Sequence, residues 1–197
     1  MKHTHLFSTP MLSTAVRGTA PLNAALTALL LEEAATVPSR NHSNVGGWHS
    51  AQDLMRRDAP PFQALTGLMT HHLQQGIQTL AGDLPERMGV SGQAWAMVMG
   101  DGHHGLPHHH GEAHFSCVYY VDAGDPPPVD DPEAGALVFM DPRGALSAGP
   151  LSLYPPVHSL TPETGMFVMF PGYLIHFVRP HRGARPRISV AANFVLQ

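Results

Sequence analysis

The chain has 197 residues, which is enough for one domain with a sizeable buried core. Its 11 Lys and Arg residues are outnumbered by 15 Asp and Glu residues, so the formal net charge is −4 and no basic surface favours nucleic acid as a partner. Histidine is the enriched residue type, with 15 copies.

The apolar segments are short. The first 20 residues contain no continuous apolar stretch of signal-peptide length, and the longest apolar run of residues 1–90, over residues 28–31, ends at Glu32. Cys117 is the single cysteine, can form no internal disulfide and lies in an apolar segment, where we interpret it as a core residue. We therefore expect a cytoplasmic protein without a membrane partner.

The N-terminal part has helical periodicity. Apolar residues at helical spacing predict an amphipathic helix over residues 22–36 and a second long helix over residues 62–80, after Pro60 and Pro61. A short helix is predicted between them, over residues 52–57. No internal repeat or linker separates two cores, so a single domain is expected over residues 1–197.

From residue 94 onward the periodicity changes to that of strands. Seven strands are predicted, over residues 94–100, 114–121, 135–141, 151–155, 165–171, 173–178 and 187–196. The proline-rich segment 125–133 is predicted to be a rigid, acidic surface loop. Many short strands with Gly and Pro turns favour a mainly β, closed or double-sheet architecture over residues 91–197, behind a mainly helical part over residues 1–90.

The segment 101–121, DGHHGLPHHHGEAHFSCVYYV, holds the densest group of metal-binding residue types. On an extended strand, His108, His110 and Glu112 would share one face. Two imidazoles at this spacing can bind one metal ion, whereas His110 with Glu112 would supply two members of a two-His-one-carboxylate site. We expect the remaining histidines to surround the site without binding metal: His103, His104, His109 and His114.

A third ligand must come from elsewhere in the chain. The strongest candidate is His176, a lone histidine that a Pro-Gly turn delivers into an apolar strand. Eleven residues later, Arg187 and Ser189 lie on one face of an alternating strand whose other face is apolar. A guanidinium beside a hydroxyl is a clamp for a carboxylate.

These motifs resemble those of the iron(II)- and 2-oxoglutarate-dependent oxygenases. The segments SNVGGWHS, HHHGEAHFSCVYYV, LVFMDPR and GMFVMFPGYLIHFV, followed by RISVAANF, resemble a bacterial subgroup of that class over almost the whole chain. The resemblance implies a double-stranded β-helix, a jelly-roll, cupin-like barrel buttressed by the N-terminal helices. It also implies an oxidoreductase that hydroxylates a substrate while 2-oxoglutarate is decarboxylated to succinate.

The resemblance also suggests roles for the metal-binding candidates. It favours His108, His110 and His176 as the Fe(II) ligands, with histidine in place of the acidic second ligand that is usual in the wider class. The set His110, Glu112 and His176 remains open, and it would keep the usual charge on the metal site.

For the cosubstrate, the resemblance implies that Arg187, with Ser189, holds the far carboxylate of 2-oxoglutarate. A tyrosine, Tyr119 or Tyr120, could donate a further hydrogen bond to it. The substrate is left open between a small molecule and a peptide, and a homodimer is compatible with an exposed sheet edge. Two alternatives remain: a cupin-like three-His metalloenzyme that does not use 2-oxoglutarate, and a non-catalytic metal-binding protein.

Overall fold

A computed structural model describes residues 2, 7–40, 42–82, 89–143 and 155–197. Its elements, in chain order, are β1 Leu12–Ala15, α1 Ala20–Thr36, β2 Asn44–Val45, β3 Trp48–His49, a 3-10 helix at Leu54–Arg56, α2 Pro60–Ala81, β4 Val90–Met99, β5 His104–His108, β6 Phe115–Asp122, β7 Leu137–Met140, β8 Val157–Leu160, β9 Met166–Pro171, β10 His176–Val178 and β11 Arg187–Leu196. The expected mainly β architecture with N-terminal helices is confirmed.

The strands form two antiparallel sheets. One has the order β1-β9-β6-β11-β4-β3 and the other the order β2-β5-β10-β7-β8. No described strand belongs to both sheets, so of the two expected arrangements, closed or double-sheet, the chain has the double sheet, and its sheets are not closed into a barrel. The outer strands are only two to four residues long and their outer edges pair with no described strand, which leaves the two sheets stacked but open.

The two long helices begin where the sequence places proline. Both have proline in the first turn, where its missing N–H costs no hydrogen bond, and α2 ends at Gly82 with φ of 79°. Their apolar sides pack on one face of the six-stranded sheet, around fully buried side chains of Leu26, Leu30, Met69 and Leu73. None of the described helices is long and apolar enough to cross a membrane.

The sequence locates the long strands better than the short ones. Six of the seven predicted strands are present, although β4 begins at Val90, four residues before the predicted start. The seventh, over residues 151–155, lies almost wholly outside the described residues. The short strands β1, β2, β3, β5 and β8 were not predicted, because such segments are extended only through pairing with a distant partner. The proline-rich segment 125–133 contains no strand, as expected.

Strand β11 separates the two halves of the interior. It pairs with β4 on one side and β6 on the other. One of its faces belongs to the core that contains the helices, through the buried residues Ile188, Val190, Ala192 and Phe194. The opposite face carries Arg187 and Ser189 and faces the five-stranded sheet. A second core cluster lies between the two sheets and joins Tyr120 and Phe170 of the first to Leu137 and Phe139 of the second.

Candidate metal centre

Three histidines converge between the sheets. His108 ends β5 and His176 begins β10, and the two are directly paired in the antiparallel ladder. His110 follows two residues after β5, and one candidate ligand atom from each of the three imidazoles lies within 4.8 Å of the other two. The ring centroids are 4.4 Å apart for His108 and His176, 4.9 Å for His108 and His110, and 5.3 Å for His110 and His176.

His110 reaches this cluster from a turn rather than from a strand. Strand β5 stops at His108, and the backbone N–H of His110 donates instead to the carbonyl of Gly172 at 2.7 Å. In return, the N–H of Gly172 donates to the carbonyl of His114 at 3.2 Å. The expectation that Glu112 shares a strand face with His110 is therefore wrong. Glu112 is exposed and lies outside the three-histidine group.

Backbone carbonyls orient two of the imidazoles. Nδ1 of His108 lies 2.7 Å from the carbonyl oxygen of Leu106, and Nδ1 of His176 lies 2.8 Å from that of Leu174. A carbonyl oxygen can only accept, so each Nδ1 carries the proton and each Nε2 keeps a free lone pair. This is the arrangement that fixes a metal-binding histidine. Nε2 of His108 also lies 3.3 Å from the hydroxyl of Ser43.

Burial keeps these imidazoles neutral. It lowers the pKa of His176 to about 3 and that of His110 to about 4, and it lowers the pKa of His108 as well. A neutral imidazole is the form that binds a metal ion, so the site is ready for a divalent cation at pH 7.

Arg187 is a buried cation that forms no ion pair with any acidic side chain of the described residues. Its side chain is 1% exposed, and its Nη1 donates to Ser189 Oγ at 3.1 Å. Its guanidinium carbon lies 4.9 Å from the ring centroid of Tyr120, and burial lowers the pKa of Arg187. No Asp or Glu within the described ranges forms an ion pair with it, and both its Nε and the Tyr120 hydroxyl lack a hydrogen-bond partner there. Burying such groups is costly, so this corner of the interior suits an anionic ligand.

The two tyrosines of β6 lie on opposite faces of the sheet. Tyr120 is beside Arg187, whereas Tyr119 faces the helices, and its hydroxyl donates to Oδ1 of Asn23 in α1 at 2.7 Å. The structure therefore does not bring Tyr119 to the arginine. Because neighbouring residues of a strand point to opposite faces of the sheet, only one of the two tyrosines can lie beside Arg187. That residue is Tyr120, which is therefore the candidate contact for the cosubstrate.

The side chains of the other histidines of segment 101–121 lie within hydrogen-bonding distance of backbone groups. The N–H groups of Gly100, Gly111 and Leu196 donate to Nδ1 of His103, His109 and His114 respectively. Nδ1 of His104 lies 3.2 Å from the carbonyl oxygen of Gly102. None of the four belongs to the three-histidine group.

Beside His110 a cavity of about 590 Å³ opens between β4, β11 and the turn after β5. The ring of Trp95 packs edge-on against that of His110, with a centroid distance of 5.7 Å between the two rings. The sequence pointed neither to Trp95 nor to Ser43 as a neighbour of the imidazoles. Ser43 does lie in the motif SNVGGWHS, which was the available sign that this segment approaches the site.

A family model described as "Putative 2OG-Fe(II) oxygenase" matches residues 93–193, which is more than half of the chain. The chain belongs to this family. The match covers β4 to β11 and so includes all three converging histidines, Arg187 and Ser189. No curated protein matches the chain at a significant level.

Several solved structures share the fold. A prolyl-4-hydroxylase from Pseudomonas putida has a TM-score of 0.63 and 19% identity, covering 95% of this chain and 92% of that one. A Trichoplax adhaerens prolyl hydroxylase, solved with a hypoxia-inducible-factor peptide fragment, has a TM-score of 0.65, 12% identity and coverages of 95% and 84%. HygX from Streptomyces hygroscopicus, solved with nickel, 2-oxoglutarate and hygromycin B, has a TM-score of 0.64, 11% identity and coverages of 94% and 82%.

The family identifies the chain as a 2-oxoglutarate- and Fe(II)-dependent oxygenase, and therefore as an oxidoreductase. The expected function, fold class and cofactors are confirmed. The residues present fit these cofactors, because three neutral imidazoles lie close together and the buried guanidinium of Arg187 pairs with no acidic side chain in the described part of the chain.

Proposed function

We propose that His108, His110 and His176 bind Fe(II), and that Arg187 with Ser189 binds the far carboxylate of 2-oxoglutarate, in an enzyme that hydroxylates a small molecule or a peptide. The observation that carries these assignments is the fully buried Arg187, which pairs with no described carboxylate and lies in the same interior as the three imidazoles. A carboxylate would neutralise this cation and accept hydrogen bonds from its free Nε–H and from the Tyr120 hydroxyl.

The protein residues bind, orient and exclude water. When bound, Fe(II) with 2-oxoglutarate and dioxygen supplies the oxidising equivalents for hydroxylation, with loss of CO₂ and formation of succinate. Three neutral ligands leave the full charge of the cation uncompensated, so a dianionic cosubstrate would balance the site. The Phe170 ring lies 4.8 Å from the His176 ring, and Phe139 lies behind it, so this side of the site is shielded from water.

The alternative ligand set with Glu112 has less structural support. Glu112 is exposed and lines the cavity beside His110 instead of joining the imidazoles. Glu112→Gln is therefore expected to leave the iron stoichiometry unchanged. A loss of bound iron in this variant would favour the set His110, Glu112 and His176.

The decisive experiment is an anaerobic titration of the Fe(II)-loaded protein with 2-oxoglutarate, followed by the visible charge-transfer band of a chelated keto acid. We expect the band in the wild type, and at least a tenfold weaker affinity for 2-oxoglutarate in Arg187→Met with iron still bound. Arg182→Met is the matched control, because Arg182 is a half-exposed arginine whose closest carboxylate, that of Asp101, lies 3.9 Å away. Unchanged affinity in Arg187→Met would contradict the clamp, and bound iron without a band would favour the cupin-like alternative.

A stability measurement complements this titration. Since removing an unpaired buried cation relieves a desolvation cost, metal-free Arg187→Met is expected to be at least as stable as the wild type. A large loss of stability in urea unfolding would mean that the arginine supports the fold rather than a ligand.

We also propose that residues 1–197 form one domain, with a helical part over 1–90 and a β core over 91–197. The support is the single core cluster that joins α1 and α2 to the six-stranded sheet. A cytoplasmic location fits the buried free thiol of Cys117. A single cooperative unfolding transition would support one domain. Cell fractionation tests the compartment, and light scattering tests whether the protein is a homodimer.

A further inference from the structure

We propose that the cavity beside His110 binds the primary substrate, and that this substrate carries both a carboxylate and a protonated amine, as a free amino acid or a short peptide does. The inference rests on the proposed function, since it takes His110 as an iron ligand. Four observations carry it: the position of the cavity, its volume, its unpartnered amides and its two unpaired charges.

The position separates the cavity from the cosubstrate clamp. The ring of His110 contacts Trp95, which pairs with Ala191 in β11. Arg187 lies four residues before Ala191 on the same face, whereas Asn193, a lining residue of the cavity, lies two residues after it. At about 3.3 Å per residue, Asn193 is roughly 20 Å along the strand from Arg187. A five-carbon diacid held by Arg187 cannot reach it, so the cavity is free for a second molecule.

The volume and the wall suit a polar molecule. About 590 Å³ is a normal size for a small-molecule site and accommodates a short peptide. The amide side chains of Gln52, Gln93 and Asn193 line it. Oδ1 of Asn193 accepts from Ser116 Oγ at 2.8 Å, which leaves its NH₂ group for another acceptor. The amides of Gln52 and Gln93 have no hydrogen-bond partner within the described ranges, so they are available to a ligand.

The two charged side chains of the wall come from different elements. Arg56 ends the 3-10 helix, and Glu112 lies in the turn after β5. Neither forms an ion pair with any side chain that the structure describes, whereas the adjacent Arg57 contacts the carboxylates of both Glu33 and Asp53. A ligand with one charge of each sign would pair with both groups. A ligand with a single charge would leave one of them unpaired.

The test uses the Fe(II)-loaded enzyme with 2-oxoglutarate and measures succinate release. The panel contains free L-amino acids and di- and tripeptides, each also as its N-acetylated and its C-terminally amidated form. We expect the free forms to stimulate succinate release, and blocking either terminus to raise the half-saturating concentration about fivefold, as for a partly exposed ion pair. A response to amino acids alone or to peptides alone shows whether the substrate is a free amino acid or a short peptide.

Two variants assign the charges. Arg56→Gln is expected to remove the preference for a free carboxylate and Glu112→Gln the preference for a free amine, each leaving the other preference intact. Arg17→Gln and Glu32→Gln, which change exposed residues that do not line the cavity, are the matched controls and should keep both preferences.

The inference is overturned if no compound of the panel stimulates turnover in protein that shows the 2-oxoglutarate band, or if blocked and free forms act alike. If the band itself is absent, the proposed function fails instead. The cavity is then tested by ligand-observed NMR with the same panel on metal-free protein, where the same preferences and the same effects of the two variants are expected. Absence of binding there would also overturn the inference.

A separate observation concerns Ser43. We infer that Ser43 is a positioning residue whose hydroxyl donates a hydrogen bond to 2-oxoglutarate once His108 binds iron. This inference also rests on the proposed ligand set. The backbone around Ser43 is fixed, because Leu106 N–H donates to the Ser43 carbonyl at 2.7 Å and Asn44 pairs with Gly105.

The contact between Ser43 and His108 cannot persist in the loaded site. The hydroxyl lies 3.3 Å from Nε2 of His108, the nitrogen that Leu106 leaves free for the metal. When a metal occupies that lone pair, the hydroxyl loses its acceptor but stays beside the coordination sphere. An oxygen of a bound cosubstrate would then accept its hydrogen bond.

Ser43→Ala and Ser43→Thr separate this role from a structural one. We expect Ser43→Ala to keep one equivalent of iron but to shift the maximum of the visible 2-oxoglutarate band and to weaken 2-oxoglutarate binding about fivefold. Ser43→Thr, which keeps a hydroxyl, should restore both values. The inference is overturned if Ser43→Ala has the wild-type band and affinity, or if Ser43→Thr behaves like Ser43→Ala.

Discussion

At the residue scale, the candidate metal centre depends on which nitrogen of each imidazole is free. The carbonyl groups of Leu106 and Leu174 each lie two residues before the histidine that they orient. The same local geometry therefore recurs at His108 and His176, on two neighbouring strands of one sheet. The ring of His110 has no such backbone partner among the described residues, so its position depends on the turn that carries it.

Replacing one ligand should remove the metal. In His176→Ala the two remaining imidazoles cannot complete a three-ligand site, so stoichiometric Fe(II) binding is expected to be lost. His109→Ala is the matched control within the same motif, because His109 is exposed and outside the group. Metal analysis after anaerobic gel filtration measures both. One equivalent of iron in His176→Ala would contradict the proposed centre.

The depressed pKa of His176 makes the metal-free protein sensitive to acid. The unfolded chain binds a proton near pH 6.5, whereas folded His176 does so only at about 3. The free energy of unfolding therefore falls as the pH decreases from 6.5 toward 3, and at pH 5 His176 contributes a loss of about 2 kcal/mol. Urea unfolding at pH 7.5 and 5 measures this, with His176→Gln expected to lose less stability over the same interval. Equal losses would argue against a buried neutral imidazole.

At the element scale, two turns hold the site together. The turn after β5 carries His110, and the turn between β9 and β10 precedes His176. They interlock through the hydrogen bonds of Gly172 to His110 and His114. A side chain at position 172 would overlap the carbonyl oxygen of Ala113 and lie 2.6 Å from that of His110.

Gly172→Ala should therefore separate the turns. We expect iron affinity to fall at least tenfold, because His110 would move away from the other two imidazoles, and stability to fall by about 1–3 kcal/mol. Gly67→Ala is the control, since a Cβ there meets nothing within 4 Å and alanine favours the α2 helix by up to about 1 kcal/mol. Iron titration and thermal unfolding measure both variants. Unchanged iron affinity in Gly172→Ala would show that the turns are not coupled.

At the scale of the whole molecule, one face of the six-stranded sheet forms the apolar core and the other face carries the candidate ligand-binding residues. The face against α1 and α2 is apolar and supplies most of the buried core. The face toward the second sheet carries Arg187, Ser189 and Asn193 along one strand. Because packing against the helices supplies most of the apolar burial, the other face of the sheet can carry polar groups that are available to ligands.

Ligand binding should therefore stabilise the protein in two steps. With Ni(II) as a redox-inert stand-in, metal alone and then 2-oxoglutarate are each expected to raise Tm. Each contributes about 2.7 kcal/mol at a concentration of 100 times its Kd, which is roughly 5–10 °C for a chain of this size. Arg187→Met should keep the first increment and lose most of the second. Differential scanning calorimetry measures both, and equal second increments would contradict the clamp.

The sequence by itself determined the features that depend on local periodicity and residue chemistry. The helical and strand periods located both long helices and six strands, and the alternation of β11 placed Arg187 beside Ser189. Strand parity placed His108 and His110 on one face and His176 was the candidate third ligand, whereas the preference for this set over His110, Glu112 and His176 came from the family resemblance. None of these features needs a distant partner to be recognised.

The tertiary structure decided what depends on long-range hydrogen bonds and on which face of a sheet is interior. Alternation separates Tyr119 from Tyr120, but only the packing of α1 on the sheet shows that Tyr120 is the one beside Arg187. The bond between His110 and Gly172 ends β5 and leaves Glu112 exposed in the turn that follows, and the pairing of β2 with β5 brings Ser43 to His108. These contacts join residues more than 60 positions apart, so their geometry is a property of the folded chain and not of any segment.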